Sequence, residues 1–339
     1  MKLSFTPHFL FFKHPFKIAH GIRTSTPIVI TELEWDGIVG YGEASMPPYL
    51  GESHDSVIAF LMQAVPLLQG FSDPFDTDLI LNAIDTIAVG NPAAKASIDI
   101  ALHDLQGKLS NKPVWELLGI GNKRISSTYT IGMDNAATIQ LKIQEASSFP
   151  VLKIKLGSPE DKRIIENVRA ITNKPIAVDV NQGWKDKHYA LDMISWLKEQ
   201  HVLFVEQPLP KEQWEDMKWL RDKSPLLTIG DESVQRLEDI VKATEAFHGI
   251  NVKLMKSTGI HEGKKMIESA KKAGLKVLVG CMSETSCGIS AAAQLSPLAD
   301  WADLDGAHLI KNDLFTGVPI VEGKICLERL AGIGVQRKQ

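Results

Sequence analysis

The chain has 339 residues, 44% of them hydrophobic, enough apolar material for one large domain or two ordinary ones. Its formal net charge of −4 and pI near 6.2 leave no basic surplus, so a small molecule, rather than nucleic acid or an anionic membrane, is the expected partner. Three cysteines (Cys281, Cys287, Cys326) suit neither a disulfide framework nor a cysteine-based zinc site, and a reducing cytoplasm is the expected home.

The opening MKLSFTPHFLFF is broken by Pro7, His8 and Lys13 before an apolar leader or span can build up, and it reads as a first β-strand. Residues 28–45, IVITELEWDGIVGYGEAS, are two β-type runs joined by Asp36-Gly37, a pair that supplies the positive φ angles of a tight hairpin. Helical stretches follow at about 53–69, 76–88 and 92–109, the last Ala-rich and expected to be apolar on one face. The first third therefore reads as an α+β unit.

From about residue 125 short apolar runs alternate with amphipathic helical stretches: STYTI, VLKIKLG, PIAVDVNQG, LFVEQPL, LLTIGDES, INVKLMKS, VLVGCMSE and WADLDG. Repeated βα units imply a parallel sheet, and eight of them imply a closed barrel with its chemistry at the C-terminal strand ends. Lys155, Asp179, Glu206, Asp231, Lys253, Cys281 and Asp303 end successive runs, 22 to 28 residues apart, so they should converge on one barrel mouth.

Asp179, Glu206 and Asp231 close three consecutive runs and make an oxygen-only set suited to Mg²⁺ rather than zinc. Lys153 and Lys155 are two apart on one strand and share its inner face. Burial and like-charge repulsion should lower their pKa toward that of a general base. Lys253 is expected opposite Lys155, with Lys256, three residues on, facing away. Asp303 and Asp305 share a face of the last run, and an uncompensated acidic pair at the mouth calls for a cationic group on the ligand and repels polyanions. A solvated strand edge for the lysines, or a loop turn for the aspartates, is the plainer alternative reading of each.

Taken in order, KIK, DVN, EQP, DES and NVKLMKSTG, together with GYGEAS, resemble the enolase superfamily and its muconate-lactonizing subgroup. The resemblance runs over nearly the whole chain. It implies a modified (β/α)7β TIM-like barrel over 121–317, and an α+β capping domain over 1–120 completed by 318–339. It also implies Asp179, Glu206 and Asp231 as Mg²⁺ ligands, Lys155 and Lys253 as the acid/base pair, and Lys153 as an auxiliary cation. A DxD such as Asp303-Leu304-Asp305 is similar to that of dipeptide epimerases, where it holds the substrate ammonium. The implied reaction is 1,1-proton transfer through an enediolate, inverting the α-carbon of the C-terminal residue.

Thr130 and Cys281-Met282-Ser283 match positions where epimerases touch the peptide, and Glu284 follows them as a neighbour of the catalytic lysine or of an outside cation. Specificity is expected from two mobile loops, HGIRTST (20–26) and MPPYLGES (46–53). Arg23 corresponds to the arginine that pairs with glutamate in Ala-Glu epimerases, in a loop about two residues longer here. Met46, Pro47, Pro48 and Tyr49 favour Ala-X dipeptides with small or apolar X. The alternatives are an L-Ala-D/L-Glu epimerase, a muconate cycloisomerase or o-succinylbenzoate synthase, and a non-catalytic, metal-stabilised binding barrel. A homo-oligomer is in keeping with barrels of this type.

Overall fold

The computed structural model describes residues 1–19 and 21–339. The chain opens as an antiparallel sheet of β1 (Lys2–Ile18), β2 (Gly21–Trp35) and β3 (Ile38–Ser45), in the order β1-β2-β3. Asp36 and Gly37 take φ of 54° and 76°, the left-handed pair a two-residue hairpin requires, and Trp35 faces Ile38 across the turn. Pro7 and Pro15 lack an N–H to give a ladder and lie on β1, an edge strand.

The segment expected as a mobile loop, 20–26, is instead strand from Gly21 onward: Ile22, Thr24 and Thr26 favour extended backbone, and Arg23 pairs with Phe16. His20 lies outside the described residues. Residues 46–53 form a short 3-10 turn over Pro48–Leu50 that runs into a Ser53 capping box.

Three helices cover this sheet: α1 (His54–Gln69), α2 (Thr77–Asp85) and α3 (Pro92–Leu109), with the short α4 (Val114–Leu117) after them. The sequence suggests one apolar face for α3, but the helix is buried on every side from Ala93 to Gly107. It packs backbone to backbone on β3. A Cβ at Gly42 would stand 1.9 Å from the Ser97 carbonyl, and one at Gly40 would stand 2.1 Å from that of Ala101. The GYG of GYGEAS is thus a packing requirement.

Two small antiparallel strand pairs come last, and between Thr128 and Asp303 run eight parallel strands with seven intervening α-helices. In chain order they are β4 (Thr128–Ile131), α5 (Ala136–Glu145), β5 (Val151–Lys155), α6 (Asp161–Ile171), β6 (Ile176–Asp179), α7 (Lys187–Glu199), β7 (Val202–Glu206) and α8 (Trp214–Lys223). Then come β8 (Leu227–Gly230), α9 (Ile240–Ala246), β9 (Gly249–Lys253), α10 (Ile260–Lys272), β10 (Lys276–Gly280), α11 (Ser286–Ala293) and β11 (Trp301–Asp303). Neighbours in sequence are neighbours in the sheet, and a parallel bridge from Ser127 to Ala302 joins β11 back to β4. This is the expected (β/α)7β barrel.

Two layers of core follow from the two-residue strand period. Outward residues such as Ile154, Val178, Val205 and Val252 pack on the helices, while Ala177, Phe204, Ile229 and Leu278 fill the barrel interior with Trp301 against them. Each of Ala177, Phe204, Ile229 and Trp301 lies two positions before Asp179, Glu206, Asp231 or Asp303, so those acids stand directly on an apolar floor. Under Lys155 and Lys253 the same inward position is polar, namely Lys153 and Asn251.

Candidate active site at the barrel mouth

Lys155, Asp179, Glu206, Lys253 and Asp303 are the last residues of their strands, while Asp231 and Cys281 fall one residue past theirs. Lys155 is in register with Asp179, and Asp179 with Glu206. Above them opens a cavity of about 540 Å³, lined by Arg23, Thr130, Lys153, Lys155, Lys253, Cys281, Met282, Ser283, Asp303 and Asp305. The expected lysines, Asp303, Asp305, Thr130, Arg23 and Cys281–Ser283 line this cavity, and the three acids are buried beneath the lysines. Met46, expected in the specificity wall, is instead buried in the core, and Glu284 is not among the lining residues.

Each of Asp179, Glu206 and Asp231 offers a carboxylate oxygen within 4.8 Å of the others. All three are at most 1% exposed, so their repulsion is not screened by water. Lysines offset part of it: Lys155 Nζ is 2.6 Å from Asp179, Lys253 is 2.6 Å from Asp231, and Lys153 is 2.8 Å from Glu206 and 3.2 Å from Asp179. Burial raises the Asp179 carboxyl, but Lys155 and Lys153 outweigh it and hold the group at about 2. Glu206 is pushed up to about 8 by burial and by the Asp179 charge. Its Oε2 makes no aligned hydrogen bond, and its Oε1 accepts from Asn251 Nδ2 at 2.8 Å. Three buried carboxylates converging within 4.8 Å fit a hard divalent cation such as Mg²⁺, which takes oxygen ligands and relieves the crowding.

Backbone strain marks the same strand exits. Asn181, Gln182 and Gln207 adopt φ of 45°, 64° and 35°, left-handed values that cost non-glycine residues energy. Hydrogen bonds between strands impose them: the Gln182 amide donates to the Gln207 carbonyl, and the Gln207 amide to that of Ile229, both at 2.9 Å. Gln207 Oε1 accepts from the Asp231 amide, and its Nε2 donates to Ser233, tying the exit of β7 to that of β8.

The structure corrects four expectations. Burial lowers the pKa of Lys153, but carboxylates dominate: Asp303, Glu206 and Asp179 hold it well above its ordinary value, and Asp231 does the same for Lys253. Lys256 does not face away. The chain turns directly after Lys253, whose carbonyl accepts from the Lys256 amide, and Lys256 Nζ comes within 2.6 Å of Asp231 Oδ1. Asp303 is not uncompensated, since Lys153 pairs with it at 2.6 Å. Of the pair, Asp305 has no ion pair among the described residues; it accepts from the Thr130 amide, and burial and the Asp303 charge push it up to about 7. Among the described residues Glu284 forms no ion pair, and it accepts from the Met282 amide at 2.6 Å.

The N-terminal layer reaches into the mouth at several points. Glu43, from GYGEAS, accepts from the Thr285 and Gly288 amides at the start of α11, and burial pushes its carboxyl up to about 7. Ser45 Oγ donates to the Ser283 carbonyl, and the Tyr49 hydroxyl lies 3.5 Å from Met282 Sδ. Asn181, Gln207, Asn251 and Lys256 are site residues that sequence reasoning missed, whereas Tyr49 is an expected member of the specificity wall. Of the missed residues, only Asn251, two before Lys253 on one strand face, carried a usable signal. No described helix is long and apolar enough to cross a membrane.

A barrel whose mouth gathers three buried carboxylates between lysines defines a class of metal-assisted, proton-moving site. Comparison with known proteins narrows that class. The family described as "Mandelate racemase / muconate lactonizing enzyme, N-terminal domain" matches residues 6–119, and "Enolase C-terminal domain-like" matches residues 136–339. The chain belongs to the mandelate racemase / muconate lactonizing enzyme family of the enolase superfamily. It is 51% identical to an L-Ala-D/L-Glu epimerase of Bacteroides thetaiotaomicron over 99% of this chain and 88% of that relative. Among solved structures, a dipeptide epimerase of Enterococcus faecalis V583, complexed with Mg and L-Leu-L-Tyr, matches with a TM-score of 0.92 and 29% identity over 98% of each chain. A substrate-liganded L-Ala-D/L-Glu epimerase of Bacillus subtilis matches with a TM-score of 0.93 and 27% identity over 99% of each.

Proposed function

We propose that this chain is an isomerase, a Mg²⁺-dependent dipeptide epimerase that inverts the α-carbon of the C-terminal residue of Ala-X dipeptides. The observation that carries this reading is placement: Lys155 on β5 and Lys253 on β9 are four strands apart either way round the ring, with the three acids on the strands between. Two bases on opposite sides of one centre can take a proton from one face and return one to the other, which inverts the stereocentre.

Asp179, Glu206 and Asp231 would hold the Mg²⁺. When bound, the ion supplies positive charge that stabilises the carboxylate-derived anion formed as the α-proton leaves, and it offsets the negative charge of the three acids. Lys153, fixed among Asp179, Glu206 and Asp303, adds a fixed positive charge beside them. Asp305 receives the substrate ammonium with Asp303, and Thr130 orients Asp305. The apolar interior and the N-terminal layer exclude water around both lysines. The division into a capping unit over 1–120, completed by 318–339, and a barrel over 121–317 belongs to this reading.

For the second residue, Ile22, Pro47, Pro48, Tyr49 and Met282 give the cavity an apolar wall that supports small or apolar X. One observation favours glutamate as well. Arg23 stands in the same wall, with its Nε buried and without a partner, and a desolvated guanidinium needs an anion. ¹H NMR in D₂O over a panel of L-Ala-X dipeptides with Mg²⁺ tests the whole reading. Loss of the α-proton signal with appearance of the second diastereomer is the expected result; no exchange on any dipeptide with metal bound would sink it.

A further inference from the structure

The mouth carries a second axis, crossing the one defined by the two lysines. In the closed ring of eight strands β7 and β11 are also four apart either way round. Asp303 and Asp305 stand at the exit of β11. Opposite them, in the loop that follows β7, Lys211 lines the same cavity. Its backbone is fixed at both ends: the amide donates to Gln182 Oε1 at 3.0 Å, and the carbonyl accepts from Ser233 Oγ at 3.3 Å. Its side chain is half-buried, and among the described residues its Nζ has neither an ion pair nor a hydrogen bond. Arg23, whose guanidinium lies over the Phe12 ring, likewise makes no ion pair among the described residues, so the cavity is acidic at one end and holds cations without a carboxylate partner elsewhere on its wall.

We infer that Lys211 is a specificity-determining residue that receives an anionic side chain on the second residue of the dipeptide. This rests on the dipeptide-epimerase reading and deepens it. A dipeptide with its ammonium at Asp305 and its C-terminal carboxylate over the three acids has one variable group left, the second side chain, to meet the far wall. Lysine is suited to receive it, because its charge rides on a four-carbon stem that can follow carboxylates of different reach, while the backbone on which it stands is pinned. Both Arg23 and Lys211 then select against a cationic second residue by like-charge repulsion.

The deciding experiment measures kcat/KM of the Mg²⁺-loaded enzyme on L-Ala-L-Glu, L-Ala-L-Leu and L-Ala-L-Lys, in wild type, Lys211→Ala and Lys211→Glu. The side chain makes no hydrogen bond or ion pair among the described residues and its backbone bonds are kept, so both variants are expected to fold. Lys211→Ala should lower kcat/KM for L-Ala-L-Glu by about tenfold, through KM rather than kcat, and leave L-Ala-L-Leu unchanged. Lys211→Glu should lower it further and raise L-Ala-L-Lys. An equal change on all three substrates, no change on any, or a wild type that inverts L-Ala-L-Leu and not L-Ala-L-Glu would overturn the assignment while leaving the epimerase reading intact. A wild type that inverts none of the three removes that reading, and the assignment with it.

Discussion

Helix α3 and the barrel mouth both bury charge, and they treat it in opposite ways. On α3 every buried charge is closed off by fixed partners. Lys95 donates to Asp85 and to the Ala88 carbonyl, Asp99 accepts from the Ile260 and His261 amides, and Asp104 accepts from Lys108 and from the Tyr41 and Ile333 amides. At the mouth like charges crowd together, and among the described residues Arg23 Nε, Asn181 Oδ1 and Glu232 Oε2 are buried without hydrogen-bond partners. Satisfied charge serves the fold; unsatisfied charge in a cavity awaits a ligand. Substitutions in the two regions should therefore separate activity from stability.

The largest effect is expected at the mouth. Lys155→Ala and Lys253→Ala should each slow epimerisation by about 10³-fold or more, within the range for lost acid–base catalysis, with a melting profile close to that of wild type when Mg²⁺ is bound to offset the acids left unpaired. A comparable loss of stability in either variant would erase the contrast. On α3, Asp104→Ala should destabilise by about 3 kcal/mol, because it strands Lys108 and two amides, while the folded fraction keeps its wild-type kcat/KM. Denaturant unfolding beside steady-state rates checks both halves. Smaller still, Asp305→Asn should lower kcat/KM for a free dipeptide by about 30-fold, and far less for its N-acetylated form, which brings no ammonium to be paired. Equal losses on the two would show that Asp305 does not hold the ammonium.

The smallest effect sharpens the α3 side. Burial lowers the His103 pKa, but the Asp99 charge outweighs it and raises the group above 6.5. A folded pKa above the unfolded one stabilises fully below about pH 6.5, and the contribution fades as pH rises through the folded value. The urea midpoint of wild type should thus fall relative to that of His103→Gln between pH 6 and 9. Parallel curves would contradict it.

Sequence carried the mouth to within a residue, because strand length and βα spacing are local properties. The acids from DVN, EQP and DES, and both lysines, stand at strand exits as the period required. What escaped depends on where strands stop and on what other strands bring. Lys256 turns inward because β9 ends at Lys253, and a two-residue rule has no force beyond the last ladder bond. The sign of the lysine shifts was not legible, because repulsion within β5 is visible in KIK, whereas Asp303, 150 residues away and facing Lys153, is not. Gln207, inside EQP, gave no hint that its amide side chain would position Asp231.

The two-face arrangement of Lys155 and Lys253 is the central claim, and exchange without inversion tests it most directly. Each lysine variant should be incubated with either diastereomer of one good dipeptide substrate in D₂O with Mg²⁺, following the α-proton by NMR. The prediction is complementary selectivity: Lys155→Ala exchanges the α-proton of only one diastereomer, Lys253→Ala of only the other, and neither interconverts them. Exchange of both diastereomers by one variant, or the same selectivity in both, would contradict bases on opposite faces.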